Sequence, residues 1–307
     1  MQSTSWMKIG TRGSPLALAQ AHQIRNSLAK AHGLAADAIE VVIIRTTGDM
    51  IQDRALSEAG GKGLFTKELD IAMIEGRIDI AVHSSKDLPT ILPPNICVAG
   101  YAEREDVRDV FIGKDNTRLR DLPHGARVGT ASLRRGAMVK NMRPDIEIGL
   151  LRGNVQTRLN KVQGGEVDGT LLALAGLKRL GLTRHATEIL DEDTFLPAVG
   201  QGAIGITARS DDDATLTKLA AICHVPTGIA LTTERAFLRV LDGSCRTPIA
   251  GLARVNDGKI AFRGMILRKD GSQCFDISAE AVVADAEALG EDCGRKLLAQ
   301  APADIFS

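Results

Sequence analysis

The sequence predicts an α/β protein: two α/β lobes with a hinged cleft between them, followed by a small α+β domain. Three observations carry that expectation. Short apolar, strand-like segments alternate with amphipathic helical ones from Lys8 onward, the pattern of helices layered on a sheet. The same alternation restarts near Asp109. Beyond Pro226 it gives way to one helical segment, three successive strand-like segments and a closing helical one. A length of 307 residues suits two or three domains, each able to bury a core.

Taken in order, Lys8 to Thr11 and Glu40 to Thr46 read as strands of one sheet. Between them Ser14 to Lys30 is predicted helical. Ser14 caps it, Pro15 takes the first helical position, Leu16, Ile24 and Leu28 give it an apolar face, and Gly33 ends it. Phe65 to Glu75 is a second amphipathic helix closed by Gly76, and Ile78 to Val82 is the next buried strand. In the second block Asp109 to Ile112, Arg127 to Thr130, Ile146 to Leu150 and Gly169 to Ala173 read as strands with helices between them. Gly202 to Ala208 is again strand-like and follows a turn rich in Pro and Gly. The last block holds a helix over Leu231 to Leu241, strands over Ile249 to Val255, Ile260 to Leu267 and Cys274 to Val283, and a helix over Asp285 to Ala299. Two lobes joined by short crossings imply a ligand held between them, with Glu103 to Val107 and Pro197 to Gly202 as the candidate hinges.

Charge and composition narrow the function. The 38 Lys and Arg are balanced by 38 Asp and Glu, and there is one Trp and one Tyr. A nucleic-acid binder needs a basic face and stacking aromatics, so that class is set aside. The first residues, Met1 to Ile9, show no basic segment followed by an apolar run, and no stretch approaches membrane-spanning length, so a cytoplasmic protein without a membrane partner is expected. The five cysteines are widely spaced and form no Cys-x-x-Cys pair, which predicts reduced thiols. Neither they nor the six histidines show metal-ligand spacing, and no metal site is expected.

Within that balanced total the arginines gather around Ser132-Leu133-Arg134-Arg135 and the stretch from Leu151 to Arg158, which includes Arg152. Ser132 reads as the N-cap of a helix whose first turn carries Arg134 and Arg135. Cations are unfavourable there, since the helix start already bears partial positive charge. An anion accepting from the free N–H groups and both guanidinium forks would reverse the penalty, whereas two solvated arginines would need no partner. The run Ile78 to Pro89 passes from a hydrophobic strand into a polar turn. Ligand sites in α/β sheets lie at the carboxyl ends of strands, which puts Ser84, Lys86 and Asp87 toward such a site; Asp87 would serve equally as a local cap. In Asp242-Gly243-Ser244-Cys245-Arg246-Thr247-Pro248 one cysteine stands in a tight turn beside an arginine that favours its thiolate. Cys97 and Cys274 lie in apolar strand contexts and read as core. Gly60-Gly61-Lys62-Gly63 fails the Walker pattern, because Gly63 follows the lysine. It reads as the end of a long polar loop beginning near Gly48, a lid or a disordered connection.

In number and order these segments resemble the porphobilinogen deaminase (hydroxymethylbilane synthase) family. The matching stretches are Thr11 to Ala17, Gly60 to Phe65, Ala81 to Asp87, Val128 to Arg135, Leu151 to Asn154, Ala175 to Gly181, Leu196 to Gly202 and the Cys245 turn, which together span nearly the whole chain. The resemblance implies two lobes like those of solute-binding proteins and a third domain carrying the cysteine. Residues 1–102 and 203–222 would form the first domain, with the catalytic aspartate; 103–202 the second, with the arginine-rich cleft; and 223–307 the third. It implies a transferase of tetrapyrrole (haem) biosynthesis that joins four porphobilinogen molecules head to tail, with loss of ammonia each time, and then hydrolyses off linear hydroxymethylbilane. The primer would be a dipyrromethane cofactor bound by a thioether to Cys245, and the protein a monomer.

That role gives the residues work. Each pyrrole carries an acetate and a propionate, which need neutralising in a partly dry site. Arg12, Lys62, Arg134, Arg135, Arg152, Arg158 and Arg179 would supply charge, and Ser14, Ser84 and Ser132 hydrogen bonds. Loss of ammonia leaves a cationic methylene-pyrrolenine, and Asp87 matches the family's catalytic aspartate, stabilising that cation and moving protons. Lys86 would steer carboxylates. Two departures stand out: Gly243-Ser244-Cys245-Arg246 where many relatives have Gly-Gly-Cys-Gln, and Ser85 where some have a larger apolar residue. The rival readings are a two-lobed carboxylate-binding protein without catalysis, which needs neither Asp87 nor a modified Cys245, and a transferase acting on phosphorylated substrates.

Overall fold

A computed structural model of the chain describes residues 5–50, 65–241 and 247–306. Contacts divide it into two units. The first takes in 5–50, 65–105 and 203–228, and the second takes in 106–202, 229–241 and 247–306.

The first unit is built on the strands β1 (Met7–Thr11), β2 (Ile39–Ile43), β3 (Ile80–Ser84), β4 (Ile96–Tyr101) and β10 (Ile204–Arg209), in the order β2-β1-β3-β10-β4. Strand β1 runs parallel to β2 and β3, while β10 is antiparallel to both β3 and β4. Its helices are α1 (Pro15–His32), α2 (Thr47–Met50), α3 (Lys67–Ile74) and α7 (Asp213–Ala220). Helix α1 begins where the sequence asks it to. The Ser14 hydroxyl accepts from the Ala17 N–H at 3.3 Å, Pro15 follows, and Gly33 takes the left-handed φ of 65° that ends the helix. Strand period two then sorts the core. Ile80 and Val82 face Ala21, Ile24 and Leu28 of α1, whereas Ala81 faces Leu69, Ala72 and Met73 of α3. Each of the larger side chains so buried contributes roughly 1.5–3 kcal/mol. Gly10 is required by close approach, since a Cβ there would stand 2.3 Å from the Ile78 Cδ1.

Helix α3 also buries a carboxyl group. Asp70 is 5 % exposed and its Oδ1 has no hydrogen-bond partner. Burial raises its pKa from 3.8 to about 6, with Glu68 adding to the rise and a hydrogen bond with Thr66 opposing it. An acid whose folded pKa is raised penalises the folded state once both states ionise, so the cost is absent below about pH 4 and complete above about pH 6. Asp70→Asn is therefore expected to stabilise the protein at neutral pH, by up to about 3 kcal/mol, and not at pH 3.5. Urea titrations at the two pH values check this; equal gains at both would contradict it.

The second unit repeats the topology. Strands β5 (Asp109–Gly113), β6 (Arg127–Gly129), β7 (Glu147–Gly149), β8 (Gly169–Ala173) and β9 (Glu188–Ile189) lie in the order β7-β6-β8-β5-β9. Here too the strand entering by a chain crossing, β5, is the antiparallel one. Helices α4 (Leu133–Met142), α5 (Val155–Gln163) and α6 (Leu174–Arg179) follow β6, β7 and β8. A third sheet, β11 (Ile249–Asn256), β12 (Lys259–Leu267) and β13 (Cys274–Val282), is antiparallel throughout and packs with α9 (Ala286–Gln300). Helix α8 (Val225–Val240) precedes it, with Phe237 against Phe262 at 4.9 Å between ring centres. The sequence reading assigns 223–307 to a domain of its own. Its sheet nevertheless shares a core with the second lobe: Ala250, Leu252, Met265 and Leu267 join Phe111, Val128, Leu171, Phe195 and Leu196.

The returning segment Leu196–Gly202 is bound firmly into this second unit. Fully buried Glu234 of α8 accepts from the N–H groups of Gly200 (2.7 Å) and Ala253 (2.8 Å). The Gly251 N–H donates to the Pro197 carbonyl at 3.0 Å, and Gln201 turns inward to donate to the Val107 carbonyl at 2.8 Å.

Candidate functional sites at two sheet edges

Parallel strands place their carboxyl ends on one edge, and ligand sites of α/β sheets form there. In the first unit that edge carries Arg12 and Ser14 after β1 and Ser84 to Asp87 at the end of β3, with the start of β10 beside them. Ser85, Lys86 and Asp87 form one 3₁₀ turn. It is pinned at both ends: the Ser85 N–H donates to the Ala203 carbonyl at 3.0 Å, and buried Leu88 lies over Gly205, where a Cβ would come within 2.8 Å of its Cδ1. Lys86 and Asp87 are half-buried. A backbone hydrogen bond and one buried leucine thus hold a carboxylate at the rim without enclosing it.

Its neighbours are fixed in turn. Ser84 and Gln20 of α1 form a reciprocal pair, the amide donating to the hydroxyl at 2.9 Å and the hydroxyl to the amide oxygen at 3.2 Å. Gln20 is buried, and the sequence reading gave it no role; its partner stands 64 positions away. The Arg12 guanidinium stacks 4.0 Å above the Phe65 ring. His83, buried just behind the turn, bonds to the Thr207 hydroxyl at 3.1 Å. Burial pushes its pKa down to about 4, and Arg12 adds to the effect. The Ser85 hydroxyl is buried without a partner, so this position is apolar in all but its residue type.

The equivalent edge of the second unit carries Thr130 to Arg135 after β6, Arg152 and Arg158 after β7, and Arg179 at the end of α6. Ser132 caps α4 by accepting from the Arg135 N–H at 3.4 Å, and Asn154 caps α5 in the same way. Arg152, Arg158 and Arg179 are half-buried. Arg158 donates to the Gly153 carbonyl at 3.0 Å and Arg179 to the Gly202 carbonyl at 2.8 Å.

Arg134 and Arg135 are only 4 % and 6 % exposed, and the anion that the helix start calls for is supplied by the chain itself. Fully buried Asp109, the first residue of β5, accepts from Arg134 Nη2 at 2.7 Å on one oxygen. Its other oxygen accepts from Arg135 Nη2 at 2.6 Å, Arg135 Nε at 3.0 Å and Gln201 Nε2 at 3.0 Å. The remaining η nitrogens donate to the carbonyls of Leu196 (2.8 Å) and Leu171 (3.0 Å). Burial lowers the Arg134 pKa from the usual arginine value, Asp109 opposes this and Arg135 reinforces it. Sequence reading missed Asp109 and Gln201 because their roles rest on partners up to 94 positions away. Lys62 and Cys245, with Ser244 and Arg246, lie outside the described residues.

Residues 7–217 match the family model "Porphobilinogen deaminase, dipyromethane cofactor binding domain", and residues 228–299 match "Porphobilinogen deaminase, C-terminal domain". The chain belongs to the porphobilinogen deaminase family. Curated relatives named porphobilinogen deaminase include those of Nitrobacter winogradskyi, 56 % identical over 97 % of this chain and 95 % of the relative, and Nitrobacter hamburgensis, 55 % identical over the same shares. Among solved structures, a periplasmic binding protein of Salmonella typhimurium aligns with a TM-score of 0.40 at 14 % identity, covering 70 % of this chain and 91 % of that one.

The family's dipyrromethane cofactor bears carboxylate side arms, and the donor chemistry of both edges fits it. The first edge offers the Arg12 guanidinium, the Lys86 ammonium and the Ser14 and Ser84 hydroxyls, and the second offers Ser132 with half-buried Arg152, Arg158 and Arg179. Guanidinium and hydroxyl donors at helix starts are the partners that carboxylates require.

Proposed function

We propose that this porphobilinogen deaminase family chain acts as a hydroxymethylbilane synthase in tetrapyrrole biosynthesis, with Asp87 as its catalytic group. It joins four porphobilinogen molecules head to tail, releasing ammonia at each step, and finally hydrolyses off the linear product. The observation that carries the assignment of Asp87 is its place in a turn pinned at Ser85 and Leu88, at the carboxyl end of β3. A carboxylate so fixed is preorganised to accept a hydrogen bond from the pyrrole N–H while stabilising the cation left on the substrate when ammonia departs, and to take the α-carbon proton that the attacking pyrrole loses once the new C–C bond has formed.

Arg12 and Lys86 would bind the acetate and propionate arms of the substrate, and Ser14 and Ser84 would orient them, the latter through Gln20. On the second unit Ser132, Arg152, Arg158 and Arg179 would hold carboxylates by contact, and Arg134 and Arg135 would act through their field, since their bonds run inward. Lys62 would add charge. Linked to Cys245 by a thioether, the dipyrromethane would supply the pyrrole terminus on which the chain is extended. The protein would work in the cytoplasm as a monomer, with its thiols reduced and no nucleic-acid or membrane partner. The equal numbers of acidic and basic residues and the scarcity of aromatics support the nucleic-acid part of that reading.

The test is the denatured intact mass, followed by incubation with porphobilinogen. A mass excess of two deaminated pyrrole units, mapped to Cys245, together with release of hydroxymethylbilane, is the expected result. A protein that binds porphobilinogen but gains no mass and releases no product would instead be the non-catalytic carboxylate binder.

A further inference from the structure

We infer that Asp109 is a positioning residue that sets the charge of the α4 start at one net positive unit, and so sets how tightly carboxylate-bearing substrate is held there. Two guanidiniums face this one carboxylate, and all three side chains are buried. Their bonds run to Asp109, to Met138 and to the carbonyls of Leu196 and Leu171, none of which carries a formal charge except Asp109. These three side chains together leave one positive charge, at a helix end whose dipole has the same sign. Mobile ions do not reach a buried pair, so its field is screened far less than that of surface arginines.

The location directs this field at ligand. Asp109 pairs with Ala173 across the β5–β8 ladder, at the edge where β6 leads into Thr130 and Ser132. Bonds from the two guanidiniums to both carboxylate oxygens hold the forks still, so the charge is fixed in place as well as in size. For an enzyme that must bind, advance and release a chain gaining carboxylates at each step, uniformly tighter binding lowers KM without helping turnover. One unit of charge serves such a cycle better than two.

This inference rests on the synthase reading above, and a charge series tests it. Asp109→Asn leaves the two arginines, Arg134→Met leaves a neutral pair, and the double variant returns to one positive charge. Arg134→Met is expected to raise KM for porphobilinogen about tenfold, the factor corresponding to about 1.4 kcal/mol. Asp109→Asn is expected to lower both KM and kcat. The double variant should return KM to within about threefold of the parent, because the cluster again carries one positive charge. Gln201→Leu, which removes a hydrogen bond and no charge, should lower thermal stability and leave KM unchanged.

Should Asp109→Asn fail to fold, Arg135→Met provides a second neutral pair and must match Arg134→Met. Shifts of KM in the same direction for Asp109→Asn and Arg134→Met, or an effect of Gln201→Leu as large as that of Arg134→Met, would overturn the inference. Porphobilinogen-dependent thermal stabilisation, read across the same series, must follow the order of charge whether or not turnover occurs. A parent protein that shows this order yet makes no hydroxymethylbilane would therefore sink the synthase reading and leave the charge inference standing.

Discussion

Asp87→Asn is expected to leave the protein folded and to lower turnover by about a thousandfold, within the range that a positioned acid–base group contributes. The side chain is half-buried at the rim, so an amide of the same shape should cost little stability. What holds the position is the backbone of its turn and the packing of Leu88 over Gly205, and neither depends on the charge. The amide can neither stabilise a substrate cation by charge nor accept the pyrrole proton. Single-turnover measurements should show porphobilinogen still bound and ammonia release slowed. Asp87→Glu keeps the charge on a longer arm and should recover part of the rate. Near-parental turnover in Asp87→Asn would remove the residue from the chemistry.

Cys245→Ala should abolish both the covalent pyrrole adduct and turnover. The four described cysteines are poorly suited to replace it. Burial raises the thiol pKa of Cys97, Cys223 and Cys293, and at exposed Cys274 partial desolvation and the Asp276 carboxylate raise it too; a thiol held protonated is a weak nucleophile. Cys293 is in addition 1 % exposed on the inner face of α9. After incubation with porphobilinogen the denatured mass of Cys245→Ala should equal that of the bare chain. A pyrrole adduct mapped to any other cysteine would show that attachment does not depend on this position.

What the sequence made legible follows from how local each determinant is. Helix α1 could be read with its ends because Ser14, Pro15 and Gly33 act within a turn of where they stand. Strands β5 and β8 of the second lobe were visible because both faces are buried and their apolar runs are continuous, as at Gly169–Ala173. Strand β4 was not resolved as an element: Ile96–Tyr101 shows no regular alternation and pairs with β10, which lies more than a hundred positions away. The first edge was legible as a ligand-binding end of a sheet, because strand, turn and proline are contiguous from Ile78 to Pro89. On the second edge the sequence exposed the need for an anion beside Arg134 and Arg135. It could not show that Asp109 meets part of that need, because folding alone brings β5 against the start of α4.

Asp70 and His83 are buried in the same unit with displaced proton affinities, and their displacements are opposite. Folded, Asp70 titrates at about 6 and His83 at about 4; the reference values are 3.8 and 6.5. Near pH 5 the folded unit therefore keeps a proton on Asp70 and none on His83, while the unfolded chain has the reverse. Unfolding passes one proton from a carboxyl to an imidazole and takes up almost none from solution. In the linkage relation the slope of stability against pH is the difference in protons bound, so these two groups together leave stability nearly level through mildly acid conditions. Each alone would tilt it: acid stabilises through Asp70 and destabilises through His83. Two costly burials of opposite sign thus cancel each other's response to acidity over the interval in which either group by itself would respond.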